Sequence, residues 1–177
     1  MEKRDMHIET AKVYASPEPY PPIEVAGKNR LYAGLMHMNL CAAQSEMTAV
    51  MQYLYQGWVI EAKNAEASQA LKQIAMVEMH HIDIFAQLIC LLGGDPVYSV
   101  SFRQRRRTWD GNMVSSCKNF FHMMQSNLLA EQETIDRYRR QAAMVHDASL
   151  SAILLRIVED EKVHVKIFRS YLDELIQ

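Results

Sequence analysis

The chain has 177 residues, a formal net charge of −2, and 49% hydrophobic against 23% charged residues. This is the balance of a globular protein with enough chain for one domain and a sizeable core. The small net charge gives no electrostatic reason to expect nucleic acid or a membrane surface as a partner, and no uninterrupted apolar run approaches the roughly 18 residues of a bilayer span.

Residues 1–28 form a polar N-terminal arm. Its start, "MEKRDMHIETAKVY", lacks the apolar stretch of a signal peptide, so a cytoplasmic protein is expected. Its end, "SPEPYPPIEV", holds four prolines and predicts an extended conformation. Residues 29–177 then read as one helical domain rich in Ala, Leu, Met, Glu and Gln. The periodicity predicts four long helices, at about 29–58, 64–92, 111–145 and 149–176.

The second helix stops at "LLGGDP", where Gly93 and Gly94 suit a left-handed cap and Pro96 cannot continue the helix. The connection from about 95 to 110 is long and the others are short. Short links make antiparallel neighbours, and a long link can run the length of a bundle. The expected fold is therefore all-α: a four-helix bundle of two hairpins with one long crossover between helices 2 and 3. The basic run "RQRRR", Arg103 to Arg107, is expected as a solvated loop or an intersubunit salt-bridge patch, with an anion or acidic-partner site as the second reading. The three cysteines, Cys41, Cys90 and Cys117, form no CxxC pair and are expected as small buried apolar residues.

The core faces carry the chemistry. In the last helix the stripe is Leu150, Leu154, Ile157, Glu161, His164, Phe168, Leu172, Leu175. The second helix shows the same interruption: Leu71, Ile74, Glu78, His81, Phe85, Leu88, Leu92. His80 lies about 100° off that stripe and is assigned to the flank. The first helix places Glu46 and Tyr53 on its core face, and the third places Glu131 and Tyr138, with Phe121 opening its stripe. Glu133 points elsewhere.

The chain thus repeats itself: a lone glutamate, a tyrosine seven residues later, then Glu-x-x-His. The two lone-to-paired glutamate separations are 32 and 30 residues. A single Glu-x-x-His is ordinarily an exposed polar pair, and a single core tyrosine ordinarily a satisfied one. Four helices carrying the right group at the right phase are a different matter. Four buried carboxylates are very unfavourable alone. Two divalent cations would neutralise them, with two neutral imidazoles completing the set. The expected ligands are Glu46, Glu78, His81, Glu131, Glu161 and His164, with Glu78 and Glu161 left open as terminal or bridging. Asp160 is a candidate acceptor for the ring N–H of His81, the usual partner of a ligating imidazole.

"SEMTAVMQYLYQ", "IAMVEMHHIDIFAQLICLLGGDP", "EQETIDRY" and "RIVEDEKVHVKIF" resemble the helix signatures of the ferritin-like superfamily, in its rubrerythrin and bacterioferritin branch, over about residues 30–176. The arm and "RTWDGNMV" resemble small bacterial ferritin-like proteins, some spore-associated or related to dimanganese catalases. The resemblance implies the same six ligands and hydrogen bonds from Tyr53 and Tyr138 to glutamates across the site. It implies a dinuclear redox protein acting on peroxide or O2, with iron ahead of manganese, drawing on an external electron donor and assembled as a homo-oligomer. The alternatives are an iron-storage subunit, a dimanganese catalase-like enzyme and a coat-associated structural protein. The chain departs from rubrerythrins in having no rubredoxin-type cysteines and no extra glutamate in phase near Glu131.

Overall fold

The computed structural model describes residues 13–102 and 105–176. Five α-helices run in chain order: α1 (Arg30–Cys41), α2 (Glu46–Ile60), α3 (Ala65–Leu91), α4 (Phe120–Met144) and α5 (Ala148–Glu174). Each starts on a side chain that accepts from the first-turn amides. Asn29, Ser45, Asn64, Asn119 and Asp147 fill those positions.

The α2–α3 and α4–α5 hairpins pack along their lengths, and α1 lies on α3. The mostly helical bundle with its single crossover agrees with the expected all-α class. The first bundle helix, expected unbroken over 29–58, is two helices. Ala42 to Ser45 leave the helical conformation. Ala and Gln there have good helix propensity, but the Ser45 hydroxyl caps Thr48 N at 3.4 Å and the Thr48 hydroxyl donates to Ala42 O at 3.2 Å. Local capping overrides propensity.

The crossover is longer than expected, because the helix placed at about 111 begins at Phe120 behind its Asn119 cap. The segment "GNM" is a single 3-10 turn. The basic run lies in a hairpin, not a loop: strand β1 (Ser99–Phe102) pairs antiparallel with β2 (Arg105–Thr108). Arg106 Nε donates to Ser99 Oγ at 2.7 Å, and Arg103 and Gln104 lie outside the described residues. The link then follows the first bundle helix. Trp109 Nε1 donates to Thr48 at the break, 2.9 Å away, and Ser115 N donates to Gln52 Oε1 at 2.6 Å. Gly93 ends α3 at φ +83°, the left-handed conformation that glycine adopts without strain.

The apolar core has two halves. One gathers Met36 and Leu40 of α1, Phe85 and Leu88 of α3, Ile135 of α4 and Leu154 and Ile157 of α5. The other gathers Ile60 of α2, Leu71 and Ile74 of α3, Met124 of α4 and Phe168 of α5. Each long helix feeds both halves, and a polar belt separates them at mid-length. By length and composition alone α3 could cross a bilayer, but it packs against α1, α2 and α5 and carries buried Glu78 and His81. It is a core helix.

Some stripe ends are not core. Phe121 and Leu175 are exposed, because the helices outrun the core there. Cys41 is buried, whereas Cys90 is exposed and Cys117 half-buried. Burial pushes the Cys41 thiol up to about 11.

Two reciprocal amide pairs flank the belt. Asn39 Nδ2 donates to Gln141 Oε1 at 2.7 Å and Gln141 Nε2 returns to Asn39 Oδ1 at 3.0 Å. Gln56 and Asn127 do the same at 3.1 and 2.6 Å. All four side chains are buried, so cutting one strands its partner. Gln141→Ala is expected to cost about 1–3 kcal/mol, read as a shifted urea midpoint with an unchanged slope.

Candidate metal centre

Six side chains converge in the belt: Glu46, Glu78, His81, Glu131, Glu161 and His164, all buried. Each helix supplies its group for a local reason. In α3 and α5 the three-residue spacing puts Glu and His on one face, one turn apart. Glu46 is the first residue of α2, directly after its cap. Glu131 sits mid-length in α4.

Their ligand atoms form two overlapping nests. Glu46, Glu78, His81 and Glu161 offer one atom each within 4.8 Å of one another, and so do Glu78, Glu131, Glu161 and His164. Glu78 and Glu161 belong to both nests, while Glu46 and Glu131 belong to one each. Glu78 spans the pair directly. Its Oε2 lies 2.8 Å from His81 Nδ1 and its Oε1 3.0 Å from His164 Nδ1. Glu161 mirrors it, with Oε2 3.0 Å from His164 Nδ1 and Oε1 3.4 Å from His81 Nδ1.

The electrostatics show what such burial demands. Burial pushes Glu46 and Glu131 well above the usual carboxylate range, and the neighbouring Glu78 and Glu161 charges push the same way. Burial also acts to raise Glu78, but His164 and His81 outweigh it and hold that carboxyl low. Both imidazoles go up against the effect of burial, His81 through Asp160 and Glu78, His164 through Glu78 and Glu161. Balanced by protons alone, both rings and both outer glutamates hold their protons to higher pH than usual.

The chemistry of this donor set suits a pair of cations. Glu78 Oε1 and Glu161 Oε1 are buried and form no well-aligned hydrogen bond, only the close approaches to the imidazoles, and acceptors held that way are costly unless something cationic meets them. Both Nδ1 atoms face inward, and both Nε2 atoms are engaged outside the nests. His164 Nε2 lies 3.0 Å from Tyr14 O, and a carbonyl can only accept. His81 Nε2 lies 3.1 Å from Asp160 Oδ2. Placing the ring hydrogens on Nε2 leaves the Nδ1 lone pairs free for a metal. Carboxylate oxygens with imidazole nitrogens suit manganese or iron.

The two tyrosines cross the belt. Tyr53 of α2 donates to Glu131 of α4, and Tyr138 of α4 donates to Glu46 of α2. Each orients the carboxylate of the opposite hairpin. Asp160 is buried between helix and arm. It accepts from Ser16 N at 2.7 Å, from the Tyr20 hydroxyl, from Arg156 Nη1 at 2.8 Å and from His81. Burial acts to raise its carboxyl, but His81, Tyr20 and Arg156 hold it well below the usual range. His80 is exposed, with its ring edge-on to Tyr20 at 4.9 Å. Glu133 is exposed and accepts from Gln44 at 2.9 Å.

Several participants were invisible to the stripe reading. Gln56 and Gln141 extend the repeat to Glu-x6-Tyr-x2-Gln in both halves, a signal present in the sequence. Their partners break the symmetry, because Asn127 stands four residues before Glu131 and Asn39 seven before Glu46. The three additional residues are taken up in the break between α1 and α2. Tyr14, Tyr20 and Arg156 had no such signal. Arg156, buried on α5, donates to Glu18 O at 2.7 Å and Ser16 O at 3.0 Å, and its guanidinium lies 4.1 Å from the Tyr20 ring centroid. These contacts fasten the proline-containing arm across the histidine side of the belt.

Comparison with known proteins places this architecture. The ferritin-like domain family matches residues 42–177. A probable manganese catalase from Clostridium acetobutylicum is 26% identical, over 86% of this chain and 75% of its own length. Among solved structures, a manganese catalase from Anabaena superposes with a TM-score of 0.78 at 20% identity, covering 90% of this chain and 79% of the other. A bacterioferritin from Mycobacterium tuberculosis superposes with a TM-score of 0.71 at 20% identity, covering 84% and 88%. With the family matching from α2 through α5 and every one of the six belt residues inside the match, the chain belongs to the ferritin-like domain family.

Proposed function

We propose that this protein is a dinuclear manganese or iron redox enzyme acting on hydrogen peroxide or O2. The observation that carries this reading is the sharing of Glu78 and Glu161 between two carboxylate–histidine nests. Single-ion sites have no use for two carboxylates that each reach both imidazoles. A bound pair of such ions supplies reversible electron exchange with small oxidants.

The chain's own groups hold and tune the pair. Glu46, Glu78, His81, Glu131, Glu161 and His164 would hold the pair, with Glu78 and Glu161 common to both nests and both imidazoles offering Nδ1. Tyr53 and Tyr138 keep the outer glutamates aimed inward through hydrogen bonds that one lone pair of each carboxylate must satisfy. Asp160 and the Tyr14 carbonyl hold the rings in the binding tautomer.

Sequence resemblance put iron ahead of manganese. The probable manganese catalase among the relatives moves manganese level with it and favours peroxide as the substrate. In that reaction two molecules of hydrogen peroxide give two of water and one of O2, with no external electron donor. Purified protein supplied with manganese or iron is expected to hold about two ions per chain. Peroxide turnover with O2 release, measured with each metal and with and without a reductant, tests the activity. An iron-filled cage with no turnover would overturn it.

Three outcomes follow from the site. Glu78→Ala removes a carboxylate common to both nests, so metal content measured by mass spectrometry should fall below about one ion per chain. Asp160→Ala frees the His81 ring and is expected to weaken metal affinity about 10–100-fold. Metal affinity should also rise steeply with pH. Both imidazoles and both outer glutamates have raised pKa values, so they keep their protons to higher pH and each must release one to bind. A titration showing proton release on binding, and weaker binding at lower pH, checks the sign.

A further inference from the structure

The repeat is broken beside the two tyrosines. The residue before Tyr53 on α2 is Gln52, and the residue before Tyr138 on α4 is Arg137. Gln52 is neutral and engaged with the crossover, where its Nε2 donates to Ser115 O at 3.0 Å and its Oε1 accepts from Ser115 N at 2.6 Å. Arg137 packs on its own tyrosine instead. Its guanidinium carbon lies 5.0 Å from the Tyr138 ring centroid, and Nη2 donates to Thr134 Oγ1 at 3.1 Å. Its Nε is buried with no hydrogen-bond partner among the described residues.

A guanidinium does not shed its charge, so burying one with an unpartnered N–H is unfavourable unless a negative field compensates it. The cluster supplies that field. Burial acts against the charge of Arg137, and Tyr138, Glu46 and Glu161 outweigh it. Through Tyr138, which donates to Glu46, the cation belongs to the Glu46–His81 nest. The other charges that contact this nest from outside cancel, because Asp160, which meets His81, is matched by Arg156 at 2.8 Å. At the Glu131–His164 nest the corresponding contacts are neutral, the Tyr53 hydroxyl and the Tyr14 carbonyl. These neighbours therefore give the first nest one positive charge more than the second.

We propose that Arg137 sets the two metal positions apart, as a fixed cation that weakens divalent-ion binding in the Glu46–His81 nest relative to the Glu131–His164 nest. The proposal rests on the dinuclear reading above. Like charges repel more strongly in a buried belt than in water, so the Glu131–His164 nest fills first. The ion beside Arg137 is also the harder of the two to oxidise, because a further positive charge is disfavoured next to that cation. The sign is what distinguishes this role from a structural one. Removing a repelling cation strengthens binding, whereas removing a support for Tyr138 and Glu46 weakens it.

The test reads each nest by itself. In a His164→Ala protein one ion is confined to the Glu46–His81 nest, and in a His81→Ala protein to the Glu131–His164 nest. Arg137→Gln is added to each, and cobalt(II) affinity is measured at fixed pH by calorimetry and visible absorption. Affinity should rise about tenfold or more in the first background and change by less than about threefold in the second. Arg137→Lys keeps the charge and should leave the first affinity near its starting value. In the otherwise unaltered protein, Arg137→Gln should strengthen the weaker of two binding steps and spare the tighter one, a measurement that does not depend on the histidine variants. Unchanged or weaker binding in the Glu46–His81 nest on Arg137→Gln, or an equal rise in both nests, overturns the proposal and leaves the metal centre standing. A parent protein that binds no cobalt overturns the dinuclear reading, and this proposal with it.

Discussion

Four glutamates buried at the waist of a helical bundle must be compensated, because a desolvated carboxylate without a partner costs several kcal/mol or more. Much of the molecule is arranged around that constraint. Two histidines sit between the carboxylates common to both nests, two tyrosines cross the bundle to the outer ones, and the apolar core is divided so that neither half contains a charge. The paired amides at each end of the belt extend the polar layer with reciprocal hydrogen bonds. A half-satisfied layer would be worse than an apolar one.

The belt is symmetric in its ligands and asymmetric in its surroundings. The repeat delivers equivalent groups from both hairpins, but Asp160 and Arg156 have no equivalents on α3, where Val77 and Gln73 occupy the matching places. Those two α5 residues hold the arm through the Ser16 amide and the Ser16 and Glu18 carbonyls, on either side of Pro17. The opposite face keeps small residues and the α1–α2 break, and a cavity of about 180 Å³ lined by Ala43, Ser45, Glu46, Ala130 and Glu131 lies there. An otherwise duplicated bundle thus acquires two unlike sides.

Legibility in the sequence followed the type of physical signal. Periodic features were readable: the core stripes, the paired Glu-x-x-His, the lone glutamates and the single crossover all follow from spacing and short links. The break at Ala42 to Ser45 was not, because its residues favour helix and only the Ser45 and Thr48 hydroxyls, acting together, end one helix and start the next. The late start of α4 was missed for the same reason, a local cap at Asn119 outweighing an apparently continuous pattern. The hairpin across the basic run escaped because four-residue strands carry too little alternation to read.

By itself the sequence determined that four helices bring four glutamates and two histidines to one polar layer, since helical period alone assigns each to its face. Only the tertiary structure decided which glutamates are shared, because bridging depends on distances between helices that spacing along each helix does not contain. It alone also decided that Asp160 faces His81, that the arm lies over the imidazoles, and that a cavity is lined from both α2 and α4. Those outcomes rest on contacts between distant parts of the chain, 79 positions apart for His81 with Asp160 and 144 for Ser16 with Asp160, where no periodicity links the partners.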